Sequence, residues 1–345
     1  MTCGKYEAEL IPGLPEELAL ECLARLHFSA HRVSSQVCKL WRELIQSKDF
    51  YYHRKKYGFT HKVACLVQAL PAESGSKPAN QPRYAISLFD TLSRSWDRLE
   101  QVPKYPDGLP MFCQITSTEG KVVVMGGLDP SSWEPVKDVF IYDFTTREWS
   151  KCADMPSVRS FFAAAGLEGK VLVAGGHDAS KNALNSAWVL DIKQNEWSEL
   201  PGMNQGRDEC EGIVIGSEFW VVSGYDTESQ GNFKSSAEIY DVRNGGDWTV
   251  VEDAWRVREC PRSCVGENKK ELLRWGATQP TVRVGSCGVD LGNWSLLTGS
   301  AYQGAPHNFY LLDNNNNNNN NNKNNDIISD EKFSGFVQSG CAVEI

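Results

Sequence analysis

Seven polar residues at turn-like positions carry the chemistry this chain can offer a partner: Arg159 and Ser160, His177 and Asp178, Arg207 and Asp208, and Tyr225. Arginine, tyrosine and histidine gathered at one mouth are types enriched in binding hot spots, and carboxylates beside arginines orient them. The pattern therefore reads as recognition of a protein surface, with Arg159, His177, Arg207 and Tyr225 as principal contacts. The plainer role for any one of them is that of a polar residue in a wet loop. Catalysis has little support: the six histidines are scattered, and neither a Gly-x-Ser-x-Gly elbow nor a phosphate-binding glycine loop occurs. His27 and His31 stand four apart, a spacing zinc sites use, yet no Glu follows His27 and no third ligand lies close in sequence. Both are expected as core or surface histidines, and neither metal nor cofactor is expected. Eleven cysteines without a Cys-x-x-Cys pair, most in apolar contexts such as Cys22, Cys38 and Cys113, read as reduced core thiols.

What must position these turns is a repeat. An apolar run ending in two small residues is followed by Asp and then Trp: Lys121 to Gly127 with Asp143 and Trp149, Lys170 to Gly176 with Asp191 and Trp197, Glu218 to Gly224 with Asp241 and Trp248. Successive units are 48 to 51 residues apart. A period near 50 with paired glycines is the kelch pattern, one four-stranded propeller blade per repeat. Runs such as Val122 to Met125 are apolar on both faces because neighbouring blades cover both. Each Trp fills the wedge between blades and needs a partner for its indole NH.

The fold class that follows is an all-β propeller over residues 63–345, preceded by a small helical unit over 9–50, a linker over 51–62 and an N-terminal tail over 1–8. Six blades are expected, with the fifth, between Asp253 and Ser286, degenerate for want of an Asp-Trp pair; five is the alternative. Blade one lacks a strand, and Phe336 to Ile345 resembles the opening strand of the other blades, so the chain ends are expected to meet. Ser, Pro, Gly and Asn between Glu73 and Pro82 read as a loop. The asparagine run within 314–325 has nothing to bury and reads as a disordered insertion.

In the helical unit, apolar residues fall at Leu14, Leu18, Cys22 and Leu26, then at Val33, Val37, Trp41 and Leu44, in helical steps. Pro15 suits a first helical position, with Glu16 and Glu17 favoured by the helix dipole. So short a unit buries too little to stand alone, and is expected to dock on a partner or on the propeller. The basic run His53-Arg54-Lys55-Lys56 reads as a solvated helix end.

The string Leu14-Pro15-Glu16-Glu17-Leu18, with Val37-Cys38-Lys39-Leu40-Trp41-Arg42 and Phe50, resembles an F-box. Combined with the repeats it makes the chain similar to plant F-box/kelch-repeat proteins. The resemblance implies the substrate-recognition subunit of an SCF-type ubiquitin ligase, not itself an enzyme. Leu14, Pro15, Leu18, Val37, Cys38 and Trp41 would bind the Skp-type adaptor, and through it a cullin. Known members of that group recruit targets including phenylalanine ammonia-lyase and cytokinin response regulators. A propeller scaffold whose helices merely cap it is the alternative, and a propeller enzyme trails.

Composition fits. The 35 Lys and Arg against 44 Asp and Glu leave a net charge of −9, which disfavours a nucleic-acid backbone as main partner. No apolar run approaches the length of a membrane span and Met1 to Leu10 do not look like a secretory signal, so a cytoplasmic or nuclear protein without membrane contact is expected.

Overall fold

The computed structural model describes residues 9–71, 82–256, 260–266, 272–274, 284–314, 326–327 and 330–345. The tail over 1–8, most of the loop at 73–82 and all but the first residue of the asparagine insertion lie outside the described residues.

Five four-stranded antiparallel sheets form the blades. Blade one combines Lys62–Ala69, Tyr84–Asp90 and Ser95–Arg98 with the C-terminal strand Val337–Glu344. Blade two runs from Gln114–Thr118 to Glu148–Lys151, blade three from Ala163–Leu167 to Glu196–Leu200, and blade four from Glu211–Ile215 to Thr249–Val251. The last blade holds Val284–Asp290, Trp294–Ser300, Asn308–Asp313 and Asp326–Ile327. Among the described residues the complete blades number five, and the expected degenerate fifth blade is the incomplete one. The degenerate segment supplies a two-stranded sheet, Cys264–Gly266 with Leu272–Arg274, between blade four and the last blade. The innermost strands lie side by side around a central channel, and Val337–Glu344 sits between the inner strands of the last blade and blade two. The chain ends therefore close the ring as expected, which removes an exposed sheet edge.

The repeat residues do mechanical work. Gly126, Gly127, Gly175, Gly176 and Gly224 all have left-handed backbone, and a Cβ on Gly127, Gly176 or Gly224 would fall 2.5, 2.4 or 2.7 Å from a backbone oxygen of the loop that enters the same blade. Each repeat Trp finds its partner one blade back. Nε1 of Trp149 donates to the Glu100 carbonyl (2.9 Å), that of Trp197 to Ala153 (3.0 Å), and that of Trp248 to Pro201 (2.6 Å). The indoles thus tie each blade to the connection that precedes it.

Among the described residues four helices precede the propeller: α1 (Glu16–Ala24), α2 (Phe28–Ser34), α3 (Lys39–Ile45) and α4 (Lys48–Lys56). Pro15 stands just before α1, in the cap position and not the first turn. The expected linker is thus helical as far as Lys56, and Arg54 is not a solvated helix end. It is 3% exposed and donates to the carbonyls of Ala24, Leu26 and Phe59. Ala24 ends α1 and Leu26 follows it, whereas Phe59 lies beyond α4, so Arg54 clips the two segments together.

Candidate functional site

Two surfaces can hold partners, on opposite sides of the molecule. The first is the helical unit. Its core joins Leu23, Ala24, Ile45 and Phe50 with Trp41, Leu44 and Phe59. Three of its helices are capped by side chains: Cys38 Sγ accepts from the Trp41 amide, Ser47 Oγ from Phe50, and His27 Nδ1 from Ser29. One flank docks on the propeller. Lys48 and Tyr52 both meet Glu119 at 2.7 Å, and Lys55 meets Glu344 at 2.7 Å. Phe28 of α2 packs edge-on to Phe144 with centroids 6.0 Å apart. The remainder leaves Leu14, Leu18, Val33, Val37 and Leu40 exposed, Val33 by 68% and Val37 by 63%. So many large aliphatics open to water on so small a unit mark an interaction surface.

Of the residues expected to bind an adaptor, Leu14, Pro15, Leu18, Val37 and Cys38 are exposed. Trp41 is the exception. Its ring packs in the helical core and its Nε1 donates to the Leu10 carbonyl at 2.6 Å, so it holds the helices together and is not an open anchor. Cys22 and Cys38 are also exposed, and so are not core thiols, unlike Cys65, Cys113, Cys210 and Cys287.

The second surface is the channel mouth away from the helices. Here the expected contacts divide. Arg159 is 1% and Arg207 0% exposed. Arg159 donates to the carbonyls of Gly175 and Ser186 and to the hydroxyls of Ser157 and Ser186. Arg207 binds Glu238 at 3.0 Å, the carbonyls of Ser223 and Ser236, and the Ser236 hydroxyl. Both guanidiniums satisfy carbonyls at the ends of the two middle strands of their own blade, so they are fixtures of the fold and cannot reach a target; burial lowers Arg159 to about 10. Ser160, Asp208 and Tyr225 are likewise buried. Ser160 pairs through its backbone with His177, and Tyr225 with Asp208. The Tyr225 hydroxyl donates to Glu209 at 3.0 Å, and burial raises it well above the usual phenol range.

His177 and Asp178 remain within reach of a partner. Nδ1 of His177, its side chain 18% exposed, lies 2.9 Å from both carboxylate oxygens of Asp208. Asp178 accepts from the amides of Ser180 and Asn182, which holds its carboxyl below the usual range.

Around them the structure adds Phe112, Phe161 and Arg262, which sequence reasoning did not single out. Phe112, Phe161 and Glu209 each stand two residues before an inner strand, with φ of 58°, 55° and 49°. Left-handed backbone is unfavourable for a bulky residue, and such outliers gather at functional sites. The Phe112 and Phe161 rings lie 4.6 Å apart, His177 5.4 Å from Phe161, and the Arg262 guanidinium 5.8 Å over Phe161. Below them Glu211 faces the channel, its carboxyl pushed up to about 7 by burial and drawn back by Arg262. The channel widens beyond it into a cavity of about 540 Å³ walled at the far end by Tyr51, Tyr52 and Lys55 of α4. The equivalent position in three blades was the available signal for Phe112 and Phe161; nothing in the sequence marked their backbone as left-handed.

Comparison with known proteins agrees with both halves. A family model described as the KLHDC2/KLHL20/DRC7 Kelch-repeats domain matches residues 63–265, and the F-box domain model matches residues 11–53. The chain belongs to the F-box/kelch-repeat family. The F-box/kelch-repeat protein At1g15670 of Arabidopsis thaliana is 35% identical, covering 98% of this chain and 100% of its own length. F-box/kelch-repeat proteins At2g44130 and SKIP20 of the same plant are 39% and 38% identical over 77% and 73% of this chain, and over 71% and 68% of their own lengths. F-box domains bind Skp1-type adaptors and kelch propellers bind protein substrates, so this F-box/kelch architecture is that of an SCF substrate receptor. No helix among the described residues is long and apolar enough to cross a membrane.

Proposed function

We propose that this chain recruits a protein target to an SCF-type ubiquitin ligase as a non-catalytic subunit, in the cytoplasm or nucleus, for ubiquitination and proteasomal degradation. The observation that carries this is the exposed aliphatic face of the F-box, Leu14, Leu18, Val33, Val37 and Leu40, left open by helices whose other flank is seated on the propeller. A unit that served only to cap the propeller would have no use for that face. The face is proposed as the seat of the Skp-type adaptor, with Pro15 and Cys38 at its edge and a cullin recruited beyond it.

The target is proposed to bind at the opposite mouth, on Phe112, Phe161, His177, Asp178 and Arg262, with the buried Arg159, Arg207, Asp208 and Tyr225 fixing the loops beneath. The aromatic pair supplies apolar area, and the His177–Asp208 pair and Arg262 supply direction. Among target classes, the likeness to plant F-box/kelch-repeat proteins favours phenylalanine ammonia-lyase and cytokinin response regulators.

Affinity purification with and without proteasome inhibition tests the reading. Adaptor and cullin should co-purify under both conditions, with targets enriched under inhibition and lost from a Phe112→Ala, Phe161→Ala double variant. Purification without adaptor or cullin would leave a scaffold instead.

A further inference from the structure

One cluster of potential metal ligands among the described residues spans the junction of F-box and propeller. It comprises His27, His61 and Asp90, one ligand atom from each lying within 4.8 Å of the others. His27 caps α2, His61 immediately precedes the first strand of blade one, and Asp90 ends the next strand of that blade. Nε2 of His61 is 3.4 Å from one Asp90 oxygen and Nε2 of His27 3.8 Å from the other. A tetrahedral zinc ion with ligand bonds near 2.0 Å requires ligand atoms about 3.3 Å apart. The two imidazole–carboxylate distances are near this value, and the imidazole nitrogens, within the 4.8 Å limit, would draw together by up to about 1.5 Å on binding the ion.

The arrangement is built, not incidental. Arg54 donates to the carbonyls of Leu26 and Phe59, next to His27 and close to His61, and so holds the two histidine-bearing loops in register. The imidazoles stack with centroids 5.2 Å apart, with the Phe28 ring beside both. Asp90 is fixed by the Leu92 amide and the Ser93 hydroxyl, both at 2.9 Å. His27 Nδ1 lies 2.9 Å from Ser29 Oγ; in the tautomer that frees the Nε2 lone pair for a metal, Nδ1–H donates to that hydroxyl and the longer 3.4 Å cap bond from the Ser29 amide is given up.

Two further observations point to a ligand. His61 Nε2 is sealed from solvent, and the Asp90 carboxylate beside it at 3.4 Å is too poorly placed for a hydrogen bond. In blade two the equivalent carboxylate, Asp143, is neutralised across the strand pair by Lys121 at 2.7 Å, whereas Val63 stands opposite Asp90. The blade-one carboxylate therefore has imidazoles where its counterpart has an ammonium.

We propose that His27 Nε2, His61 Nε2 and the Asp90 carboxylate bind one Zn²⁺, with water in the fourth position, and that the ion fastens the F-box to blade one. Two neutral imidazoles and one carboxylate suit zinc over the hard, oxygen-seeking cations. Because the ligands come from both units, the ion sets the angle at which the F-box presents its adaptor face.

The test uses the full chain, stripped with a chelator and titrated with zinc chloride by calorimetry. One Zn²⁺ per chain should bind and raise the melting temperature, and Co²⁺ in its place should give the visible absorption of a four-coordinate site. His27→Gln, at an exposed position, and His61→Gln should each weaken binding by about tenfold or more, the least that loss of even an outer-shell partner causes. Absence of binding by the wild-type chain, or undiminished affinity in His27→Gln with its fold intact, would overturn the proposal.

Discussion

His61 and Ile345 exchange both backbone hydrogen bonds, the His61 amide donating to Ile345 at 3.1 Å and the Ile345 amide to His61 at 2.9 Å. The last residue of the chain is thus fastened beside the point where the F-box hands over to the propeller. From there the C-terminal strand pairs with Lys62–Ala69 along its whole length, Val63 opposite Val343 and Cys65 opposite Cys341.

Deleting residues 336–345 should therefore destabilise the entire propeller and not blade one alone. The deletion removes the inner strand of a closed ring and exposes both an unpaired edge and apolar residues such as Leu66 and Val289. A fall in melting temperature of about 10 °C or more is expected, since each kcal/mol shifts a domain of this size by a few degrees. A melt that kept its midpoint would show that the ring does not depend on this closure.

Arg207→Ala should unfold the propeller before it affects any partner. Its guanidinium and the Glu238 carboxylate are both 0% exposed, and Glu238 also accepts from Asn204. Removing the arginine leaves the buried Glu238 carboxylate without its countercharge and the Ser223 carbonyl without its donor, while the Ser236 carbonyl keeps the Ser223 amide, and the loss costs about 3–5 kcal/mol. Urea denaturation reads this directly. A variant as stable as wild type that nonetheless lost its target would restore Arg207 to the interface.

The contrast between Arg207 and Phe161 shows what the sequence revealed and what it withheld. The periodicity announced the blades and a helical unit, because repeats and helical stripes are local signals, while the likeness of Phe336 to Ile345 to other opening strands announced closure and the Leu14-Pro15 and Val37 to Trp41 motifs carried the resemblance to an F-box. The periodicity also placed the polar turns at one mouth, since equivalent turns of equivalent blades must emerge together. Burial was not legible. An arginine beside a diglycine reads the same whether it faces water or strand-end carbonyls, and only three dimensions place Ser186 around Arg159 or Ser236 around Arg207. His27 was noticed for its spacing to His31, yet His31 turned into the core and His27 met a residue 34 positions away and one further still, which no spacing rule anticipates.

Val37→Asp and Leu18→Asp should abolish adaptor binding with little effect on folding. Both side chains are more than half exposed, so a charge there meets water in the free protein and an apolar partner only in the complex. A loss of about 2 kcal/mol or more in affinity is expected by calorimetry. Trp41→Ala should behave differently, weakening the helical core by about 3 kcal/mol through lost packing and the lost bond to the Leu10 carbonyl. If Trp41→Ala left F-box stability untouched while removing adaptor affinity, the division between core and surface drawn here would fail.

Acid should loosen the last blade through His307. Its ring is 4% exposed, contacts Phe336 edge-on and meets the Thr298 hydroxyl at 3.1 Å. Burial pulls its pKa from the ordinary 6.5 down to about 4. Between these values the unfolded chain takes up a proton that the folded chain refuses, so the neutral ring's contribution is complete above pH 6.5 and declines as pH falls toward 4. The slope is about 1.4 kcal/mol per pH unit for one such group. The stability difference between wild type and His307→Phe, measured in urea, should hold level from pH 8 to 7 and shrink by about 2 kcal/mol between pH 6.5 and 5, the shifts of His31 and Glu211 being common to both proteins. An equal decline in both proteins would assign the acid sensitivity to other groups and leave His307 a passive part of the core.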